Sequence, residues 1–161
     1  MPMAGLGKRF LNSNFKLPKP LILIKNKPMF IQAARSMPRS RLNIFICNKK
    51  LVEKYQLRKI LAKEFKNRFK LITVRRTTKG QANTCLLAKK YLKKNDKIFI
   101  HSCDSLIDFD KKNLKKDFNK FEGIIYTTRP NKVHISNIKS YGWVNIKKNK
   151  IHRITCKNKA S

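Results

Sequence analysis

From residue 42 onward the apolar positions alternate between two rhythms. LNIFIC (42–47) is an unbroken β-branched and aromatic run, the pattern of a strand buried on both faces. LVEKYQLRKILAKEF (51–65) follows, with Leu51, Tyr55, Ile60, Leu61 and Phe65 near helical spacing and Asn48 placed to cap the helix. KLITV (70–74) reads as a second strand, and QANTCLLAKKYL (81–92) as a helix with Ala82, Cys85, Leu86 and Tyr91 on its pattern. KIFIH (97–101) reads as a third strand. The strands recur about every 27 residues, the spacing of βαβ units in a parallel sheet.

On either side of this stretch the pattern changes. MFIQAARSM (29–37) predicts a helix and PLILI (20–24) a short extended piece between prolines. Past Asp104, DKKNLKKDF (110–118) predicts a short helix. GIIYTT (123–128), KVHIS (132–136), YGWVNI (141–146) and KIHRIT (150–155) then predict antiparallel strands, with turns at Asn131, Asn137 and KKNK (147–150). The expected fold class is α/β: a Rossmann-like, mixed but mainly parallel sheet flanked by helices, with antiparallel strands in the C-terminal third. Nothing resembles a linker or a low-complexity segment, and 161 residues suffice for one domain with a real core but not for two ordinary ones. Residues 1–161 are therefore expected to form a single domain.

Charge alters this picture less than its size suggests. The formal net charge is +32, which ordinarily points to nucleic acid because lysine and arginine displace counterions from phosphates. Here lysine is spread along the whole chain among asparagine and isoleucine, no RNA-binding module is recognisable, and few aromatics interleave the basic runs. Nucleic acid is not the expected partner. The acidic residues say more. None precedes Glu53, and five of the eight fall between Asp104 and Glu122. Such a cluster fits either a metal site or a solvated loop and helix start, where aspartate is common; Asp108 and Asp110 suit the second use.

Cys47, Cys85, Cys103 and Cys156 lack C-x-x-C spacing and read as small hydrophobes in a reducing compartment. His101, His134 and His152 are scattered, with no metal or catalytic role expected for them. No apolar run approaches a membrane span, and Pro18, Pro20 and Pro28 break the amphipathic helix a transit peptide would need. The expected location is the cytoplasm, with no membrane partner.

The opening stretch, MPMAGLGKRF, holds the candidate chemistry. Gly5 and Gly7 flank Leu6, so backbone N–H groups there are able to converge on an anion without an intervening Cβ, and Lys8 and Arg9 add charge. The same pair fits an ordinary turn. A dinucleotide fingerprint would need a third glycine where Phe10 stands, and a Walker loop is absent.

In combination the pieces are more specific. PMAGLGKRF, then KLPKPLI, then NKPMF resembles the N-terminal signature of the sugar-phosphate nucleotidyltransferases, closest to the capsule or lipopolysaccharide type. KLITVRRTTKGQANTCLLAKKYL is similar to the family's Gly-Gln-Ala segment, and KIFIHSCDSLIDFD to the strand ending in its metal-binding aspartate. GWVNIKKNKIHRITCKN resembles the hairpin that leads into a Glu-Lys element. The match runs in the family's order from residue 2 to about residue 158.

The resemblance implies an enzyme that transfers a nucleoside monophosphate from a nucleoside triphosphate to a sugar 1-phosphate and releases pyrophosphate. It implies that Ala4, Gly5, Leu6 and Gly7 hold the triphosphate, with Arg9 and Lys19 as the catalytic cations. Lys19, between Pro18 and Pro20, would act as a placed point charge. Gly80 and Gln81 would sit against the nucleotide, although Gln81 suits a helix start equally well. Asp104 would hold Mg²⁺, and Lys157 would contact the sugar phosphate. The chain also departs from the pattern. Only MPMA precedes Gly5 where the family has a full strand, Lys8 replaces a hydroxyl residue, and Cys156 replaces a glutamate. The sequence stops at Ser161, before the family's second metal carboxylate. Relative to the family the domain is expected to be incomplete at both ends, with exposed apolar edges that favour self-association. An inactive nucleotide-binding or scaffold remnant of the family is the alternative, and a basic RNA-binding protein the more distant one.

Overall fold

The computed structural model describes residues 1–5, 17–148 and 150–156, without the side chains of Lys111, Lys112 and Lys115. The chain divides into two compact units, Met1–Lys116 and Asp117–Ser161.

The first unit is built on a parallel sheet of β1 (Pro2–Met3), β4 (Asn43–Asn48) and β5 (Phe69–Val74), with β4 in the middle. β4 pairs with β1 through Pro2↔Ile46 and Met3↔Cys47, and with β5 from Asn43↔Phe69 to Asn48↔Val74. A small antiparallel pair, β2 (Leu23–Ile24) and β3 (Lys27–Pro28), precedes helix α1 (Met29–Ser36). Its two turn residues, Lys25 and Asn26, both have positive φ, the geometry that lets a two-residue loop follow the twist of its strands.

The strand β4 is apolar because it is covered on both faces. Phe45 and Cys47 face α1 and α3 (Leu57–Phe65). Phe45 packs edge-on against Phe30 at 6.0 Å between centroids and against Phe65 at 5.2 Å. Phe30, Ile31, Leu57 and Leu61 are fully buried beside them. Each such side chain contributes about 1.5–3 kcal/mol through burial. An Arg35–Glu64 ion pair joins α1 to α3. Ile44 and Ile46 alternate to the other face, where they line a cavity of about 410 Å³ with Cys85, Ala88 and Ile98.

The long helix expected over 51–65 is two helices, α2 (Lys49–Lys54) and α3. The break falls at Gln56, whose φ of 49° leaves the helical region. Asn48 caps α2 as expected, its side-chain oxygen accepting from the Lys50 N–H at 3.0 Å. The helix expected over 81–92 is α4 (Gln81–Leu86) followed by a 3₁₀ turn at Lys89–Tyr91. KIFIH forms no strand: Ile98 and Ile100 are 51% and 65% exposed. One edge of the sheet is β1, which is two residues long and offers no ladder of useful length.

Helix α5 (Lys111–Lys120) begins at Asp110, which accepts from the Asn113 backbone and side-chain N–H groups. The second unit holds α6 (Lys132–Ser136) and the antiparallel hairpin β6 (Gly142–Lys147) and β7 (Lys150–Cys156), with an irregularity at Asn145/Ile146. KVHIS is a helix and not a strand. Asn131 accepts from the His134 N–H and donates its own N–H to His134 Nδ1, so a capping box overrides the alternating pattern. GIIYTT forms no strand.

Candidate active site

Prolines on both sides of Lys19 anchor its backbone. Pro18 to Leu21 form a 3₁₀ turn, with the Leu21 N–H donating to the Pro18 carbonyl at 2.8 Å. Leu21 is buried in the core and packs with α1. Pro18 and Pro20 fix φ on both sides, so the lysine leaves a stiff root. Its Nζ donates to Asp104 Oδ2, a residue 85 positions away.

Asp104 is held from its own side. Cys103 packs against the core, leaving Asp104 as the next residue outward. Buried His101 meets the Ser105 carbonyl at 2.8 Å through Nε2. A carbonyl only accepts, so Nε2 carries the proton. The Ser102 and Ser105 hydroxyls pair at 2.9 Å, and the Ile107 N–H donates to Ser36 Oγ at 3.3 Å, tying this turn to the end of α1. Burial alone would push the Asp104 carboxyl up. Hydrogen bonding and charge from Lys19, followed by hydrogen bonds from the Ser102 hydroxyl and the Asp104 N–H, outweigh that and hold it below its ordinary value. Beside it, the Cys103 thiol is pushed up to about 11, first by burial and then by the Asp104 charge.

The other expected residues divide into two groups. Ala4 is buried, and Gly5 beyond it is exposed with nothing within 4 Å of where a Cβ would stand. Gly80 and Gln81 are exposed at the start of α4, which packs beside β1. Gly80 also has an open Cβ position, and its carbonyl accepts from the Thr78 and Thr84 hydroxyls. At both glycines the room for close backbone approach is present. Leu6, Gly7, Arg9 and Lys157 lie outside the described residues. What the sequence missed is the His101–Ser102–Ser105 clasp. The visible signal was a histidine three positions before the one aspartate that ends an apolar run.

No group of three or more histidine, cysteine, aspartate or glutamate side chains gathers among the described residues. Asp104 nevertheless fits a magnesium ion that keeps its waters and takes further oxygens from a phosphate, because it is ionised and a hard donor.

The family model for nucleotidyl transferases matches residues 3–159. The chain belongs to that family. Two solved structures share its fold. One, described as a nucleoside-diphosphate-sugar pyrophosphorylase from Vibrio cholerae RC9, has 15% sequence identity and a TM-score of 0.58; the match covers 100% of this chain and 68% of that one. The other, described as a UTP-bound UGPase from Acinetobacter baumannii, has 16% identity and a TM-score of 0.53, covering 97% of this chain and 66% of that one. The nucleotidyl transferase chain thus spans about two thirds of the length of each. No curated protein sequence matches it. Among the described residues no helix is long and apolar enough to cross a membrane.

Proposed function

We propose that the chain binds a nucleoside triphosphate with Mg²⁺ and transfers its nucleoside monophosphate to a sugar 1-phosphate, releasing pyrophosphate, as in nucleotide-sugar synthesis for surface polysaccharide in the cytoplasm. The observation that carries this reading is the Lys19–Asp104 pair, which sets a placed cation and an ionised carboxylate side by side. In this chemistry a sugar-phosphate oxygen attacks the α-phosphorus as pyrophosphate leaves. The protein's task is to align two anions and neutralise charge as it moves. Lys19 would offer its ammonium to the reacting phosphates from a root that does not swing. Asp104 would be the protein's ligand to Mg²⁺, which supplies neutralisation of the triphosphate charge when bound. Gly5 and Gly80 have the open space that phosphate or base needs to approach the backbone, and Gln81 has an amide suited to a base edge. Arg9 and Gly7 would complete the triphosphate cradle, and Lys157 would meet the sugar phosphate.

A second reading, triphosphate binding without turnover, is favoured by one observation: among the described residues no group of three or more acidic, cysteine or histidine side chains gathers to hold a metal. Pyrophosphate release from a nucleoside triphosphate and glucose 1-phosphate or another sugar 1-phosphate, assayed with and without Mg²⁺, separates the two. The proposed transfer predicts Mg²⁺-dependent release, reduced about 100-fold or more by Lys19→Ala or Asp104→Asn. Saturable Mg²⁺-dependent binding with no release would select the second reading.

A further inference from the structure

The groups that would receive the triphosphate and its metal are already engaged with each other. The Lys19 ammonium lies on an Asp104 oxygen, and both side chains are only about 30% exposed, at 28% and 30%. A triphosphate arriving alone finds its cation shared with a carboxylate and meets that carboxylate's negative charge. A divalent cation arriving alone finds its carboxylate covered by an ammonium. A metal–triphosphate complex has neither difficulty, because the metal replaces the ammonium at Asp104 while a phosphate replaces the carboxylate at Lys19.

We infer that Lys19 and Asp104 form a latch, closed in the empty site, that the metal–triphosphate complex opens and that neither component opens efficiently alone. The inference rests on the function proposed above and adds coupling between the two ligands. The latch is structural as well as electrostatic. Lys19 belongs to the proline-flanked turn packed with α1, and Asp104 to the turn that His101 and Ser102 tie down. Closing it joins two segments that are 85 residues apart in sequence. By linkage, whatever Mg²⁺ does for triphosphate affinity, triphosphate does equally for Mg²⁺ affinity.

The test is a double-mutant cycle read by calorimetric titration in 0.3 M NaCl, with ATP, GTP, CTP, UTP and dTTP as probes, in EDTA and in excess Mg²⁺. In EDTA, Asp104→Asn is expected to bind the best of these probes about fivefold more tightly than wild type, because Lys19 is released. In a Lys19→Ala background, where only the carboxylate's own repulsion of the triphosphate remains to be relieved, the same change is expected to give a clearly smaller gain. A gain as large without Lys19 as with it would show general repulsion by the carboxylate alone and overturn the latch. Equal metal-free affinity in wild type and Asp104→Asn would overturn it too, while Mg²⁺-dependent binding by wild type would leave the proposed function standing. If no probe binds wild type even with Mg²⁺, both fall. Lys19→Met, which keeps the aliphatic stem, replaces Lys19→Ala if melting shows that the alanine variant does not fold.

Discussion

Asp104 carries the proposed chemistry, but His101 decides where it points. The imidazole Nε2–H donates to the Ser105 carbonyl and closes the five-residue turn that presents the carboxylate. Removing that donor takes the protein partner from the Ser105 carbonyl and frees the turn. His101→Ala is therefore expected to weaken Mg²⁺-dependent triphosphate binding about tenfold and to change metal-free binding little. His101→Gln, whose amide also donates, is expected to restore most of the loss; titration of the three proteins checks both statements. Thiol chemistry gives a second residue-scale expectation. Burial pushes the Cys47 thiol up to about 11 and the Cys103 thiol similarly, so both are almost wholly protonated at pH 8. The thiolate is the reactive form. Exposed Cys156 should therefore react first with iodoacetamide, with Cys47 and Cys103 labelled only on unfolding, as read by peptide mass spectrometry. Rapid labelling of Cys103 in the native protein would contradict its packing against the core.

Among the elements, the join between α2 and α3 carries a local conformational cost. Gln56 has positive φ, a region that a side chain enters at a cost and glycine enters freely. Gln56→Gly is expected to raise stability by about 0.5–1 kcal/mol, whereas Asn48→Ala, which removes the cap of α2, should lower it by about 1 kcal/mol. Both are measurable by urea denaturation. The same junction shows what the sequence made legible. The parallel strands β4 and β5, helix α1 and the Asn48 cap were readable because local period and burial agree there. The break at Gln56 was not, since Leu51, Tyr55, Leu61 and Phe65 sustain a helical rhythm across it. KIFIH and KVHIS misled for a related reason. β-branched alternation describes what a strand would bury, but a strand also needs a neighbour. Among the described residues the sheet edge at β1 is two residues long, and KVHIS is captured by the Asn131 cap. At the candidate site, Lys19 and Asp104 were singled out by the family resemblance, which expects a proline-flanked lysine and an aspartate after an apolar run. Their direct pairing was not, because 85 residues of separation leave no periodic trace.

For the whole molecule the dominant fact is a net charge of +32 on 161 residues. The described ion pairs, such as Lys19–Asp104, Arg35–Glu64 and Lys49–Glu53, engage only some of the eight acidic side chains, and most of the forty cations repel one another. Folding brings these charges closer together, so self-repulsion opposes the compact state and screening relieves it. The Debye length falls from about 30 Å at 0.01 M salt to below 8 Å at 0.3 M. Thermal stability should consequently rise with NaCl over that interval, by about 5 °C if relief is worth about 1–2 kcal/mol. A melting temperature that falls instead would mean that attractive pairs outweigh repulsion. The same charge predicts how the chain meets nucleic acid. Binding to an arbitrary RNA should fall steeply with salt and be largely gone by 0.3 M, as expected when counterion release supplies the affinity. Mg²⁺-dependent triphosphate binding should survive at that salt, since it draws on a partly enclosed cation and carboxylate that are less screened than surface lysines. RNA binding that persists at 0.3 M salt while triphosphate binding does not would invert this order and make the polyanion the natural ligand.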